Sequence, residues 1–278
     1  MISLRVTLLT VFAMLAFAGN SLLCRIALRD TAIDAASFTT IRLASGALVL
    51  AAIMLARRSH PLSAGSWPMA AMLFAYAAFF SFAYRQLTAA TGALLLFGAV
   101  QTSMLGYGLA AGERLRPPQI AGLMIAVGGL VYMLLPGLAA PPIVSAACML
   151  LAGASWAVYS VLGRGAKDAV GATAGNFMRS LPFTVVLSLA FVGSFQIDQA
   201  GVAYAIVSGA ITSGLGYVLW YAALPSLKAT SAATVQLSVP AIAALGGVVL
   251  LSEAMNPRLL VASAAILGGI ALTISRRK

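Results

Sequence analysis

Two arginines stand inside long apolar stretches that are otherwise uncharged, Arg42 and Arg179. Arg42 follows Asp34 by eight residues, roughly 12 Å along a helix at 1.5 Å per residue, which is too deep for a simple loop position. A guanidinium at such depth is costly unless it snorkels, pairs or faces water. It can also hold a carboxylate through two parallel hydrogen bonds, and either arginine is a candidate for that task. The competing reading is that both anchor helix ends and carbonyls near opposite interfaces, and their symmetric placement favours it.

The other candidates are amides and aromatic rings. Asn20, within Gly19-Asn20-Ser21, and Trp156 and Tyr159, within Gly153-Ala154-Ser155-Trp156 and Tyr159-Ser160, fall deep in apolar stretches. There each polar group needs a partner or a water-filled cavity. Tyr76, Phe80 and Tyr84 recur every four residues, as do Tyr217 and Tyr221, so each set lies along one helix face. Tyr84 and Tyr221 fit an interfacial aromatic belt, whereas Tyr76, Phe80, Tyr217 and Trp220 suit the wall of a pocket. Gln101 and Gln236 each serve equally as a substrate contact or an interhelix bond, and Pro240 can kink its helix and free a carbonyl. Flat apolar walls with a few polar tips suit an amphiphilic, aromatic solute.

The elements that position these residues are membrane spans. Hydrophobic residues make up 62% of the 278-residue chain and charged residues 8%, against about 25% charged in soluble domains. Nearly charge-free runs of spanning length, roughly 17–25 residues, read as 3–28, 34–57, 66–86, 90–111, 118–136, 143–163, 170–193, 200–222, 228–251 and 258–276. The fold class expected is therefore an all-α integral membrane protein with ten transmembrane helices. The runs lack the alternating ten-residue strands of a barrel.

The chain also repeats itself. Gly112-Glu113-Arg114-Leu115-Arg116-Pro117 is followed by Gly128-Gly129, and Ser252-Glu253-Ala254-Met255-Asn256-Pro257 by Gly268-Gly269, at an offset of 140. Such a period marks one unit used twice: residues 1–137 and 143–278, five spans each, joined by a short Gly137–Pro142 linker. Two similar units with an odd number of spans face opposite sides of the membrane, as in many secondary transporters. At this offset Leu96 stands opposite Gln236 and Val100 opposite Pro240, so the two glutamines are not equivalents. A residue that the shared architecture does not dictate is the better candidate for substrate contact. Arg42 matches Arg179, and Met14–Asn20 resembles Leu150–Trp156. The paired Glu-x-x-x-Pro elements read as turns, with Pro suiting the first turn of the next helix and Glu its positive end.

Ten spans in two five-span copies, a small and aromatic first helix in each, an Arg in the second, and Gly/Ser-Glu-x-x-x-Pro before a Gly-Gly helix together resemble the drug/metabolite transporter superfamily, EamA type. Within it the chain looks most like the bacterial amino-acid and metabolite exporters, the aromatic amino-acid exporters included. The resemblance implies export of small amphiphilic metabolites, neutral or aromatic amino acids foremost, by alternating access through a central cavity. That cavity would be walled by the first, third, fourth, sixth, eighth and ninth spans. The substrate-binding set expected is Asn20, Arg42, Tyr76, Phe80, Gln101, Trp156, Tyr159, Arg179, Tyr217, Trp220 and Gln236. A flippase or carrier for lipid-linked or nucleotide-linked sugars, or a drug efflux carrier, is the alternative.

Charge placement supports an orientation. With the amino terminus inside, eleven Lys and Arg residues fall on the inner side (Arg5, Arg57, Arg58, Arg114, Arg116, Arg164, Lys167, Lys228, Arg276, Arg277, Lys278) and four on the outer side (Arg25, Arg29, Arg85, Arg258). This positive-inside bias puts both termini in the cytoplasm and the protein in the bacterial inner membrane. The net charge of +11 then reports topology rather than nucleic-acid binding. All six acids, Asp30, Asp34, Glu113, Asp168, Asp198 and Glu253, fall at span ends or in loops, and the single His, His60, lies in a basic loop. That argues against a buried-carboxylate proton relay and against the triads or metal clusters of an enzyme. Cys24 and Cys148 lack ligand spacing. No cofactor or metal is expected, and the partners expected are a small-molecule substrate and membrane lipids, with the protein a monomer or weak dimer.

Overall fold

The computed structural model describes residues 4–110, 112, 116–135, 137, 140–163, 166, 168–223, 226–227 and 235–274. Among these residues the regular structure is entirely helical. The first half holds α1 (Leu4–Asp30), α2 (Ala35–Ala56), α3 (Trp67–Tyr84), α4 (Ala89–Ala110) and α5 (Pro117–Leu134). The second holds α6 (Ile143–Leu162), α7 (Ala169–Ala190), α8 (Gln199–Ala223), α9 (Ser238–Leu251) and α10 (Pro257–Ile274).

Seven of these helices, α1 to α6 and α8, include stretches long and apolar enough to cross a membrane, while Ser238–Leu251 and Pro257–Leu272 are shorter apolar helices. α7 has 22 residues but carries Asn176, Arg179 and Ser180. Large apolar side chains face outward: Leu48 and Val144 are 71% and 72% exposed. In water so much exposed apolar surface would aggregate; facing lipid, it is the ordinary exterior of a multi-pass membrane protein.

Local chemistry sets the helix starts. Asp34 accepts from the backbone N–H groups of Ala36 and Ser37 to cap α2, Ser66 from Met69 to cap α3, and Asp168 from Gly171 to cap α7. These bonds satisfy donors that have no partner within the helix. Pro117 opens α5 and Pro257 opens α10, as the sequence led us to expect.

The Gly-Gly pairs pack the two halves together. A Cβ on Gly129 would stand 2.9 Å from Ala265 and 3.0 Å from Ile266, and one on Gly269 would stand 2.5 Å from the carbonyl oxygen of Gly122 and 2.6 Å from the nitrogen of Ala126. Later residues of α5 thus meet earlier residues of α10, so the two helices run antiparallel with backbones in near contact. Gly128 and Gly268 face open space, so one glycine of each pair makes the contact.

Two expectations change. Glu253 does not serve the helix that follows it. Its Oε2 accepts from the N–H of Ala89 at 2.8 Å, at the start of α4 in the other half, and its Oε1 meets Arg25 Nε at 2.9 Å. Ser252, in a left-handed conformation at φ 51°, turns the chain at the end of α9. The matching residues Glu113 to Leu115 lie outside the described residues, as do Arg114, Arg164, Lys167, Lys228 and Arg276–Lys278 of the inner basic set. Tyr84 is fully buried rather than a belt residue. Its ring packs edge-on against Phe80 with centroids 4.7 Å apart, and its hydroxyl donates to Ala89 O.

Candidate functional site

Helix α8 contributes the feature that organises the centre. Between Ser208 and Leu215 it winds as a π-helix, a form that recurs at functional sites because the wider turn redirects side chains. Ser208, Thr212 and Ser213 are all buried there. Gly209 permits the approach, since a Cβ on it would collide with the carbonyl oxygen of Arg42. The π segment therefore rests directly on α2.

From there the polar contacts follow in sequence. Ser208 Oγ donates to Asn20 Oδ1 at 2.7 Å, and Thr212 Oγ1, whose one hydrogen has the Ser208 carbonyl oxygen at 2.7 Å, stands 3.3 Å from the same Asn20 oxygen. With its carbonyl oxygen held by Ser208, Asn20 turns its Nδ2 toward the Tyr76 hydroxyl, at 3.4 Å. Arg42 donates from Nη2 to that same hydroxyl at 3.3 Å and from Nε to Ser213 Oγ at 3.2 Å. Its guanidinium carbon lies 5.3 Å from the Tyr76 ring centroid and 5.0 Å from that of Phe80, within cation–π range. Arg42 is 1% exposed, and its Nη1 has no partner among the described residues. The Tyr217 hydroxyl, also buried, has none either.

Beside this network is a narrow chamber of about 20 Å³, room for about one water molecule. Phe17, Asn20 and Ser21 of α1, Tyr76 and Phe80 of α3, Leu96 and Phe97 of α4, Trp156 of α6, Thr212 and Tyr217 of α8, and Gln236 just ahead of α9 line it. These are the six segments expected to wall a cavity. Trp156 is the hub, touching four rings: Tyr76 at 4.9 Å, Tyr217 at 5.1 Å, Tyr159 stacked at 5.5 Å and Phe17 at 6.5 Å between centroids. The rings already touch, so a solute must part them to enter. Among the described residues no carboxylate lines the chamber.

Of the eleven expected site residues, Asn20, Tyr76, Phe80, Trp156, Tyr217 and Gln236 line this space, and Arg42 stands behind Tyr76 and Phe80. Trp220 and Tyr159 are buried one layer out, Trp220 edge-on to Phe17 and Tyr159 bonded by Asn176 Nδ2 at 3.3 Å. Gln101 is buried on α4 away from the lining. Arg179 is elsewhere: it donates to the carbonyls of Ala64 at 2.7 Å, Leu62 at 3.2 Å and Gly175 at 3.2 Å, fastening the 57–66 loop. Its neighbour Asn176 accepts from Ser66 N at 2.9 Å, so α7 braces that loop with two side chains. Sequence reasoning passed over Ser208, Thr212 and Ser213. The signal was present as a cluster of small polar residues, Ser208-Gly209 and Thr212-Ser213-Gly214, in the middle of a span.

Comparison with known proteins bears on the family and the fold. The model of the EamA-like transporter family matches residues 144–275. Uncharacterized protein PA1977 of Pseudomonas aeruginosa is 57% identical over 274 residues, spanning 98% of this chain and 96% of its own. A protein named Uncharacterized transporter from Archaeoglobus fulgidus is 26% identical, covering 97% of both chains. A solved crystal structure superposes with a TM-score of 0.66 at 21% identity over 96% of both chains, a likeness of fold.

Proposed function

The chain belongs to the EamA-like transporter family of the drug/metabolite transporter superfamily, and from that premise we propose that it exports small amphiphilic metabolites, neutral or aromatic amino acids foremost. It is a multi-pass membrane transporter and not an enzyme. The observation that carries the substrate reading is the chamber itself, whose aromatic walls meet a few fixed polar tips at Asn20, Tyr76, Tyr217 and Gln236. Such a surface suits a solute with one flat apolar part and one polar part.

In this reading the protein has ten spans, and residues 1–137 and 143–278 form two inverted halves that rock about the chamber to give alternating access. The antiparallel α5–α10 seam supports such a relation between the halves. Both termini are cytoplasmic in the inner membrane, and the transporting unit is a monomer or weak dimer. Transport is facilitated or by exchange: Asp30, Asp34, Asp168, Asp198 and Glu253 all lie at helix ends or just beyond them, leaving no carboxylate at mid-span among the described residues for a proton relay. The test is efflux from liposomes preloaded with a mixed amino-acid pool. Aromatic and large neutral members are expected to leave first without an applied ion gradient. Movement only under a proton or sodium gradient would overturn the coupling, and retention of every amino acid would overturn the substrate class.

A further inference from the structure

The hydrogen-bond count at the chamber is unbalanced in one direction. Tyr76 oxygen receives two donors, Nη2 of Arg42 and Nδ2 of Asn20. A phenolic oxygen offers two acceptor sites and one O–H, so with both sites engaged the hydroxyl hydrogen has to point to something else. Among the described residues nothing accepts it, and Tyr76 lines the chamber. Tyr217 lines the same chamber, and its buried hydroxyl has no partner among the described residues. Behind them Arg42 Nη1 is also without an acceptor. Asn20 does not make up the deficit, because it meets Tyr76 with its donor Nδ2 while its carbonyl oxygen is turned to the Ser208 hydroxyl. Three donors are left over and no lining carboxylate faces them. Buried polar groups in a folded protein are ordinarily satisfied, so a donor surplus around a cavity describes what is missing from it.

We propose that the missing group is an acid, and that the carboxylate of the cargo is the part this transporter requires while an ammonium is dispensable. The inference rests on the transport reading above for the identity of the cargo, and it deepens that reading by ranking solutes. The hydroxyls of Tyr76 and Tyr217 touch the carboxylate. Arg42 is a positioning residue: it holds Tyr76 by a hydrogen bond and places a fixed positive charge behind it, which strengthens the hydroxyl as a donor. A cargo ammonium meets only aromatic faces there, which attract it weakly compared with a carboxylate partner. Aromatic acids without an amino group are therefore accepted at least as well as the corresponding amino acids, and amines or amides without an acid group are rejected.

The test is binding to the purified full-length protein in detergent, read by tryptophan fluorescence, since Trp156 stands in the chamber and would respond. Three probes share one ring: phenylalanine, 3-phenylpropionate and phenylalanine amide. The first two are expected to bind, and the amide at least about tenfold more weakly, the scale of one charge-assisted hydrogen bond. Tyr217→Phe, whose lost hydroxyl has no partner in the fold, is expected to narrow the acid-over-amide ratio by several-fold. Arg42→Gln should remove the preference and Arg42→Lys, which keeps the charge, should restore part of it; a merely structural Arg42 would change stability and leave the ratio alone. Equal binding of acid and amide, or no binding by any probe, overturns the proposal. Its failure is separable from failure of the transport reading. Efflux of phenylalanine with no acid preference sinks only the inference, whereas acid-selective binding with no efflux of any solute sinks the transport assignment and leaves the site.

Discussion

The protein builds the same trio of side chains twice and finishes the two differently. At the centre, Asn20 donates to the Tyr76 hydroxyl and Arg42 stands beside it; near the 57–66 loop, Asn176 donates to the Tyr159 hydroxyl and Arg179 is one turn further along the helix. Around Arg179 backbone carbonyls take up the guanidinium hydrogens, so the cluster is closed and its product is a fastened loop. Around Arg42 the described residues leave Nη1 and the Tyr217 hydroxyl without an acceptor. On the proposed reading, the same residue types serve architecture where acceptors are supplied and recognition where they are withheld. The difference lies in what surrounds each Arg rather than in the Arg itself.

The sharpest way to break this contrast is to neutralise each Arg in turn. Arg42→Gln is expected to lower affinity for an acid-bearing aromatic solute by at least about tenfold, whereas Arg179→Gln leaves that affinity within about twofold of wild type in the same fluorescence titration. Equal losses in both variants would show that the two clusters do the same work.

A third arginine, matched by a carboxylate, sharpens the comparison from the other side. Arg25 pairs with Glu253 at 2.9 Å, with side chains 11% and 6% exposed, and Glu253 also holds the first N–H of α4. Removing one partner of a buried pair costs about 3 kcal/mol, so Glu253→Gln is expected to produce the largest fall in thermal stability among these variants. Differential scanning fluorimetry in detergent checks it, and an unchanged midpoint would show that the pair ties nothing together. Because Glu253 joins α9 to the start of α4 and to α1, its loss should also raise amide exchange at Ala89 and its neighbours.

How much of this was legible follows from what a bilayer demands. The spans could be read because a helix in lipid must be apolar for its whole length, and the starts of α5 and α10 because Pro117 and Pro257 suit a first helical turn. Six of the eleven proposed site residues line the chamber because amides and aromatic rings deep in a span need company. What escaped notice depended on partners distant in sequence. Nothing near Glu253 reveals that it caps α4, 164 residues away. The periodic spacing of Tyr84 does not reveal that its ring faces inward. Ser208, Thr212 and Ser213 were passed over, since it is the π-helical turn that brings all three to Asn20 and Arg42.

Smaller effects fall on the structural side. Arg179→Gln deletes loop contacts worth about 1 kcal/mol each and is expected to speed proteolysis or amide exchange within residues 57–66 with chamber binding unchanged. Asp34→Ala removes the cap of α2 and should cost about 1 kcal/mol. Burial pushes the Asp34 carboxyl up, but the Ser37 hydroxyl and the N–H groups of Gln196, Ser37 and Ala36 outweigh it and hold the group below the ordinary carboxylate value. A group whose folded value is depressed stabilises the protein above its unfolded value and loses that contribution as pH falls through the folded one. The stability gap between wild type and Asp34→Ala should therefore be full near neutrality and close in acid below the ordinary carboxylate range.

The central claim is that the aromatic chamber is where cargo passes, and Trp156 touches more of its rings than any other described side chain. The direct measurement is phenylalanine efflux from proteoliposomes carrying wild type or Trp156→Ala at equal reconstituted amounts. Efflux is expected to fall by at least about tenfold, the scale on which truncating a buried aromatic anchor weakens recognition. Unchanged efflux from a folded Trp156→Ala protein would contradict the account and move the pathway elsewhere.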